Sequence, residues 1–249
     1  MARATVVFAS GQLLTDDVWA PQVEALAQDY DVIFADHGRD DTIAGMAARL
    51  LAGAPDQFHL IAHAMGGFTA FEVMRQAPQR VLSLVLIATL APNDGPAQTE
   101  RRQGYLRLVE AGRFDQVVEE RVPILLPPDR RGEGPLLARV RQMASDTGAE
   151  RFLVQQRAIM SRIDSRPSLA AIKVPTLVIR GAQDGITTQT HQDEILAGIP
   201  HARFVEIPAC GHLPTLEAPD ETNRLLRDWL AENSAGADRS GLTGVGNSG

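Results

Sequence analysis

The sequence predicts an α/β fold, a doubly wound and mostly parallel sheet with a helical cap inserted into it. Three observations predict it. Short β-branched runs alternate with helix-compatible segments over most of the chain. Most of those runs are apolar on both faces, the pattern of parallel strands covered by helices on each side. The alternation breaks once, between residues 91 and 166, where helical periods recur without a convincing strand.

Taken in order, Thr5-Val6-Val7-Phe8 suits a strand and Val18–Gln28 a helix. Asp31-Val32-Ile33-Phe34-Ala35 is the second strand, followed by a helix over Thr42–Ala52. Asp40 and Asp41 precede that helix, where carboxylates complement the positive end of the dipole. Phe58-His59-Leu60-Ile61-Ala62 and Val81–Ala88 are further strands, separated by a helix over Gly66–Ala77. Thr176-Leu177-Val178-Ile179 and Arg203-Phe204-Val205-Glu206-Ile207 bracket a helix over Thr190–Ile199. In the last helix, Pro219–Glu232, the residues Thr222, Leu225, Leu226 and Trp229 fall near one face. The expected core sheet therefore has six strands.

The strandless insertion carries helical periods around Arg101–Glu110, Phe114–Arg121, Pro135–Ala144 and Glu150–Ile163. Its periodicity is too regular for a long loop. The expected organisation is a core from residues 1–90 and 167–232, a cap from 91–166, and a tail over 233–249. That tail is rich in Gly, Ser and Ala, with little to pack, and is expected to be disordered.

Composition narrows the function. At 249 residues the chain is long enough to bury a core without disulfides or metals. Its single cysteine, Cys210, allows neither an intrachain disulfide nor a thiolate cage. A net charge of −7 repels a phosphate backbone, so nucleic acid is excluded as a partner. The longest apolar stretch, Val81–Leu90, falls far short of a bilayer span. Met1-Ala2-Arg3-Ala4 runs straight into a strand without the apolar region of a signal peptide, which gives an expected cytoplasmic location.

The most informative stretch is Leu60-Ile61-Ala62-His63-Ala64-Met65-Gly66-Gly67. It leaves a buried strand and opens a helix through small residues, the setting of a strand–turn–helix elbow whose tip stands above the sheet edge. Such a turn needs small residues two before and two after its tip, and Ala62 and Gly66 meet that need if Ala64 is the tip. A helix starting near Met65 would aim its free N–H groups at whatever sits over the turn.

On these residues the chain resembles the α/β-hydrolases, specifically small bacterial esterase-like members with a helical cap, over about Val6–Leu230. The family's elbow is usually Gly-x-Ser-x-Gly, whereas this sequence reads Ala-His-Ala-Met-Gly, with Ala64 at the nucleophile position. The other motifs follow in the family's chain order. Gly181-Ala182-Gln183-Asp184 resembles its acid turn, and Gly211-His212 its histidine loop. Phe8-Ala9-Ser10-Gly11-Gln12-Leu13 is similar to its oxyanion loop, with Ser10 where histidine or proline is more usual. Trp19 and Gln22 match the Trp-x-x-Gln that commonly follows. The chain also begins almost at the strand leading into this loop, so the family's first antiparallel strands are expected to be absent.

The resemblance implies hydrolysis of a carboxylic ester or related acyl bond in a small substrate held between sheet and cap, with no metal or cofactor. His212 would be the general base and acid, Asp184 its orienting carboxylate, and the N–H groups of Gln12 and Met65 the oxyanion hole. Alanine attacks nothing, so the chain is expected to be nearly inactive. Ala64 is either an introduced Ser→Ala change that disables the nucleophile or a natural loss of nucleophilic catalysis. The rival classes are a lyase or cofactor-free oxygenase using His212 as a base, and a ligand-binding protein that kept the pocket alone. Substrate identity and oligomeric state stay open.

Other residues have plainer readings. His63 is expected to pack and hydrogen-bond under the turn, and Cys210 to be an inert buried thiol. Asp36-His37-Gly38-Arg39 reads as a solvated turn closing the second strand. His59, His191 and His201 lack metal-ligand spacing. The cap arginines, Arg101, Arg102, Arg107, Arg113, Arg121, Arg130 and Arg131, read mainly as a solvated helix face, with steering of an anionic substrate as the alternative.

Overall fold

Six strands build one all-parallel sheet in the order β2-β1-β3-β4-β5-β6. They are β1 (Thr5–Ala9), β2 (Asp31–Phe34), β3 (Phe58–His63), β4 (Val81–Ile87), β5 (Thr176–Gly181) and β6 (Arg203–Ile207). The computed structural model describes residues 3–132 and 134–234. The expected tail beyond Ser234 lies outside the described residues.

The period of two sorts each strand between two cores. Val6, Phe8, Ile61, Val85, Ile87, Leu177 and Ile179 face one side, packed by α1 (Ala20–Leu26) and α9 (Pro219–Ser234). Val7, Ala9, Leu60, Ala62, Leu84, Leu86 and Val178 face the other. There they meet α2 (Ile43–Gly53), α3 (Met65–Gln76) and α7 (Gln189–Gly198). Helices on both faces explain why the inner strands are mainly apolar on both sides, whereas the edge strands carry the exposed Asp31, Arg203 and Glu206.

The cap sits between β4 and β5: α4 (Pro96–Glu110), α5 (Phe114–Arg121) and α6 (Gly134–Ser161). Pro96 at the first helical position starts α4 five residues before the expected Arg101. The two helices expected around residues 135–144 and 150–163 run together as α6, broken at Gly148 by a φ of +71°. The expected helix over Val18–Gln28 is divided, a 3₁₀ turn at Asp16–Trp19 followed by α1, whose start carries Pro21. Asn233 and Ser234 extend α9 rather than leaving it. The Ser234 hydroxyl lies 3.2 Å from His59 Nε2 and 3.3 Å from the Tyr30 hydroxyl, which gives the helix end a partner. A short α8 (Pro214–Glu217) precedes α9. No helix among the described residues is long and apolar enough to cross a membrane.

Because all strands are parallel, their C-terminal ends share one edge of the sheet. The chain order reverses at β1, which has β2 on one side and β3 on the other. Loops leaving β1 and β3 therefore diverge there and open a crevice, the usual ligand position in open α/β sheets.

Candidate active site

The turn after β3 carries backbone strain at one residue. Ala64 has φ +50° and ψ −110°, a conformation that side-chain-bearing residues rarely adopt. Contacts on all sides hold it there. Its N–H donates to the Ile87 carbonyl at 3.0 Å, and its carbonyl accepts from the Thr89 hydroxyl at 2.8 Å and from the Gly67 N–H at 3.0 Å. The turn also lies very close to β1: a Cβ on Gly66 would fall 2.0 Å from the Ala9 carbonyl oxygen. Only glycine fits, which is the reason for the small residue two beyond the tip. A Cβ on Gly11 would in turn come within 3.2 Å of the Ala64 Cβ. The oxyanion-loop candidate and the elbow tip are thus in contact.

Asp184, in the turn after β5, is buried at 3% exposure, and His212, after β6, at 4%. His212 Nδ1 donates to Asp184 Oδ2 at 2.9 Å. The Thr187 hydroxyl donates to the same oxygen, while the N–H groups of Ile186 (2.8 Å) and Thr187 (3.1 Å) donate to Oδ1. Burial alone would raise the Asp184 pKa. The charge and hydrogen bond of His212, with the bonds from Thr187, outweigh it and bring the carboxyl down to about 2. The acid is therefore ionised near neutral pH and fixes which ring nitrogen of His212 carries the proton. His212 Nε2 has no partner among the described residues.

A cavity of about 360 Å³ joins these parts. Gly11, Gln12, Ala64, Met65 and His212 line it on the core side, and arginines of the cap on the other. The backbone N–H groups of Gln12 and Met65 donate to no acceptor among the described residues. Ser10 occupies its place through Trp19, whose indole N–H donates to the Ser10 hydroxyl at 2.9 Å. Gln22 reaches the opposite way, donating to the Thr215 carbonyl at 3.2 Å and to Asn223 Oδ1 at 2.9 Å. The Trp-x-x-Gln pair thus ties the oxyanion loop to the helices that follow His212.

Several supporting residues carried no signal in the sequence. Gln156 Oε1 accepts from the Gln12 side chain at 2.7 Å, and Gln155 Oε1 from the Leu13 N–H at 3.3 Å. The second half of α6 therefore holds the oxyanion loop from above. The fully buried carboxylate of Glu217 accepts the N–H groups of Gly211 and Leu213, both at 2.9 Å, on either side of His212. Arg180 donates to the carbonyls of Thr187 (3.0 Å) and Asp184 (3.3 Å) and so steadies the acid turn.

His63 Nε2 donates to the His212 carbonyl at 2.8 Å, beneath the turn. Burial first, and then His212, lowers its pKa to about 3. Burial pushes the Cys210 thiol up to about 12, so it is no nucleophile near neutral pH. His37 differs from the expected solvated turn. It is 4% exposed and its Nδ1 donates to the Ser10 carbonyl at 3.1 Å, because the second strand ends under the oxyanion loop. Asp36 does bind Arg39 and Arg151 at the surface. His59 pairs with Ser83 inside the sheet and His191 caps α7. Among the described residues, no three His, Cys, Asp or Glu side chains are placed to hold a metal ion.

A parallel doubly wound sheet, a cap between β4 and β5, and a buried His–Asp pair facing a strained turn define a hydrolase-type site. Residues 4–219 match the alpha/beta hydrolase fold family, and the chain belongs to it. It is 29% identical to a candidate carbamate hydrolase, RutD, of Azorhizobium caulinodans over 86% of each chain. It is 27% identical to a pimeloyl-[acyl-carrier protein] methyl ester esterase of Nitrosomonas europaea, over 87% of this chain and 91% of that one. A thermophilic esterase of Thermogutta terrifontis, solved with malate bound, superposes with a TM-score of 0.84 at 26% identity. The match covers 93% of this chain and 90% of that one.

Proposed function

We propose that the site is built for hydrolysis of a carboxylic ester or related acyl bond in a small substrate, and that Ala64 leaves it without a nucleophile. The core is assigned to residues 1–90 and 167–232 and the cap to 91–166. The observation that carries the reading is the convergence on one cavity of the His212–Asp184 pair, the strained Ala64 turn and the free N–H groups of Gln12 and Met65. The similarity to a methyl ester esterase and a candidate carbamate hydrolase supports acyl–heteroatom cleavage.

With serine at position 64, His212 Nε2 takes the hydroxyl proton as Oγ attacks the carbonyl carbon. The tetrahedral oxyanion is held by Gln12 N–H and Met65 N–H, charge that develops only in the transition state. His212 then protonates the leaving group, and water activated by the same nitrogen releases the acid. Asp184 stays ionised and stabilises the imidazolium formed in between.

The test compares the chain with its Ala64→Ser form on short and medium acyl p-nitrophenyl esters, with a fluorophosphonate and intact mass as a second readout. The serine form is expected to turn over on the order of 10⁶-fold faster, the scale on which a hydrolytic triad depends on its nucleophile, and to gain one adduct. Silence in both forms would sink the hydrolase reading. The rival, proton abstraction by His212, draws on an Nε2 without a partner among the described residues in a cavity where position 64 offers no hydroxyl. It requires activity in the Ala64 chain that His212→Ala abolishes.

A further inference from the structure

The cap side of the cavity is cationic in a chain that is anionic. The sequence has 24 basic against 31 acidic residues, yet the walls carry four guanidinium groups, Arg101, Arg102, Arg121 and Arg162, and one carboxylate, Asp94. Asp184 lies behind His212 rather than on the wall.

Two of the four arginines have an internal explanation. Asp94 pairs with Arg102 at 2.5 Å and with Arg162 at 2.9 Å, and Arg162 also lies 4.4 Å from the centre of the Phe68 ring. These three side chains form a buried cluster that braces the start of the cap against its last helix. Arg101 and Arg121 have no such account: among the described residues, neither has a carboxylate within ion-pair distance. Arg121 is partly buried, its guanidinium 5.8 Å from the centre of the Tyr105 ring. Burial lowers its pKa, and repulsion from Arg101 adds to the effect, while the neighbouring Tyr105 hydroxyl partly offsets both. Arg101 is exposed and Arg121 half-buried, and both line the cavity; an anion beside them supplies the counter-charge that the half-buried Arg121 lacks.

We propose that the substrate carries a carboxylate at the end remote from its scissile acyl bond, and that Arg101 and Arg121 anchor it. This rests on the acyl-hydrolase reading above. Guanidinium matches carboxylate geometry in two parallel hydrogen bonds, so the pair would fix both the position and the rotation of the acid end. The other end then falls toward the Ala64 turn and the N–H groups of Gln12 and Met65. The class is a half-ester or lactone of a small dicarboxylic acid, and a neutral ester of the same shape is the disfavoured ligand.

Because Ala64 leaves an ester intact, binding is measurable on the chain as it stands. Calorimetric titrations would use the monomethyl esters of succinate, glutarate and adipate, each against its dimethyl ester. At least one half-ester is expected to bind ten- to a hundred-fold tighter than its diester. Arg121→Gln should erase that preference and Arg101→Gln weaken it, with diester binding unchanged. Circular dichroism checks folding, and Arg121→Lys, which keeps charge but loses the fork, replaces any Gln variant that does not fold and should give an intermediate value. Equal affinity for half-esters and diesters, no binding of any half-ester, or a preference that survives the double variant would overturn the proposal. Hydrolysis of p-nitrophenyl acetate by the Ala64→Ser form alongside any of those results removes this inference alone. No hydrolysis with an arginine-dependent preference removes the hydrolase reading and leaves the anion site standing.

Discussion

The sheet edge and the cap treat backbone strain in opposite ways. Among the described residues, four non-glycine positions have positive φ: Leu13, Ala64, Ala88 and Ala209. All four lie in loops leaving the C-terminal ends of strands, around the site. The cap has two positive-φ residues, Gly112 and Gly148, and both are glycines. Where a side chain or an N–H must be held in one place, the edge keeps an unfavourable conformation and neighbouring contacts enforce it. Where only a change of helix direction is needed, the cap uses the residue that turns without penalty.

If the edge holds position and the cap holds ligand, perturbing them should have effects of different kinds. The largest is expected at the edge. In the Ala64→Ser form, Asp184→Asn should lower turnover about 10⁴-fold, because an amide no longer fixes the proton on His212 Nδ1 and no longer balances the imidazolium. A loss below tenfold, read from initial ester hydrolysis rates, would show that His212 works without its partner.

Acid should act on the core and spare the cap, since all six histidines lie outside residues 91–166. Burial holds His37 and His59 at about 4 and His63 at about 3, below the ordinary 6.5 they regain on unfolding. The unfolded chain therefore binds more protons as pH falls below 6.5, and stability present above that value is lost toward pH 4. Each histidine contributes a slope of about 1.4 kcal/mol per pH unit in that window. Urea midpoints at pH 7, 6 and 5 should fall accordingly, and His59→Gln should flatten the slope by about a third.

Smaller effects test the join between the two regions. Gln156→Ala removes the cap's bond to Gln12 and should lower turnover of the serine form about tenfold with little change in KM, as expected for an N–H needed mainly in the transition state. An increase in KM alone would assign Gln156 to substrate binding instead. The smallest effect is Ala64→Gly, which relieves the positive φ and should raise stability by about 1 kcal/mol in thermal unfolding. Unchanged or lower stability would mean the turn is not strained.

The same contrast explains what the sequence could reveal. The four inner strands were legible because burial on both faces makes each a short, mainly apolar run, and the edge strands β2 and β6 by their β-branched and aromatic residues. The elbow was legible because Ala62, Ala64 and Gly66 satisfy a steric need within five residues. Asp184 and His212 were found by resemblance to short local motifs. Gln155 and Gln156 were not, since their partners Leu13 and Gln12 lie 142 and 144 residues away and a glutamine on a helix has no distinguishing local pattern. Arg121 was named only within a row of seven cap arginines read mainly as solvated, with steering of an anion as the alternative, because such a row reads the same whether it meets solvent or a cavity. His37 was read as solvated because a Gly-containing turn resembles a surface loop until Ser10 is placed above it.

The Glu217 clasp bears on how such proteins exchange parts. Its carboxylate is buried beneath the histidine loop, and the nearest guanidinium, that of Arg130 at 3.8 Å, comes from the cap. Transplanting a cap from a relative would therefore change more than the shape of the pocket. A donor without a cation at that place would leave the carboxylate with only the N–H groups of Gly211 and Leu213 to balance it under the loop that carries His212. Cap shuffling thus reaches the histidine loop through a charge as well as through fit, with the N–H groups of Gly211 and Leu213 still holding the carboxylate when that charge is lost.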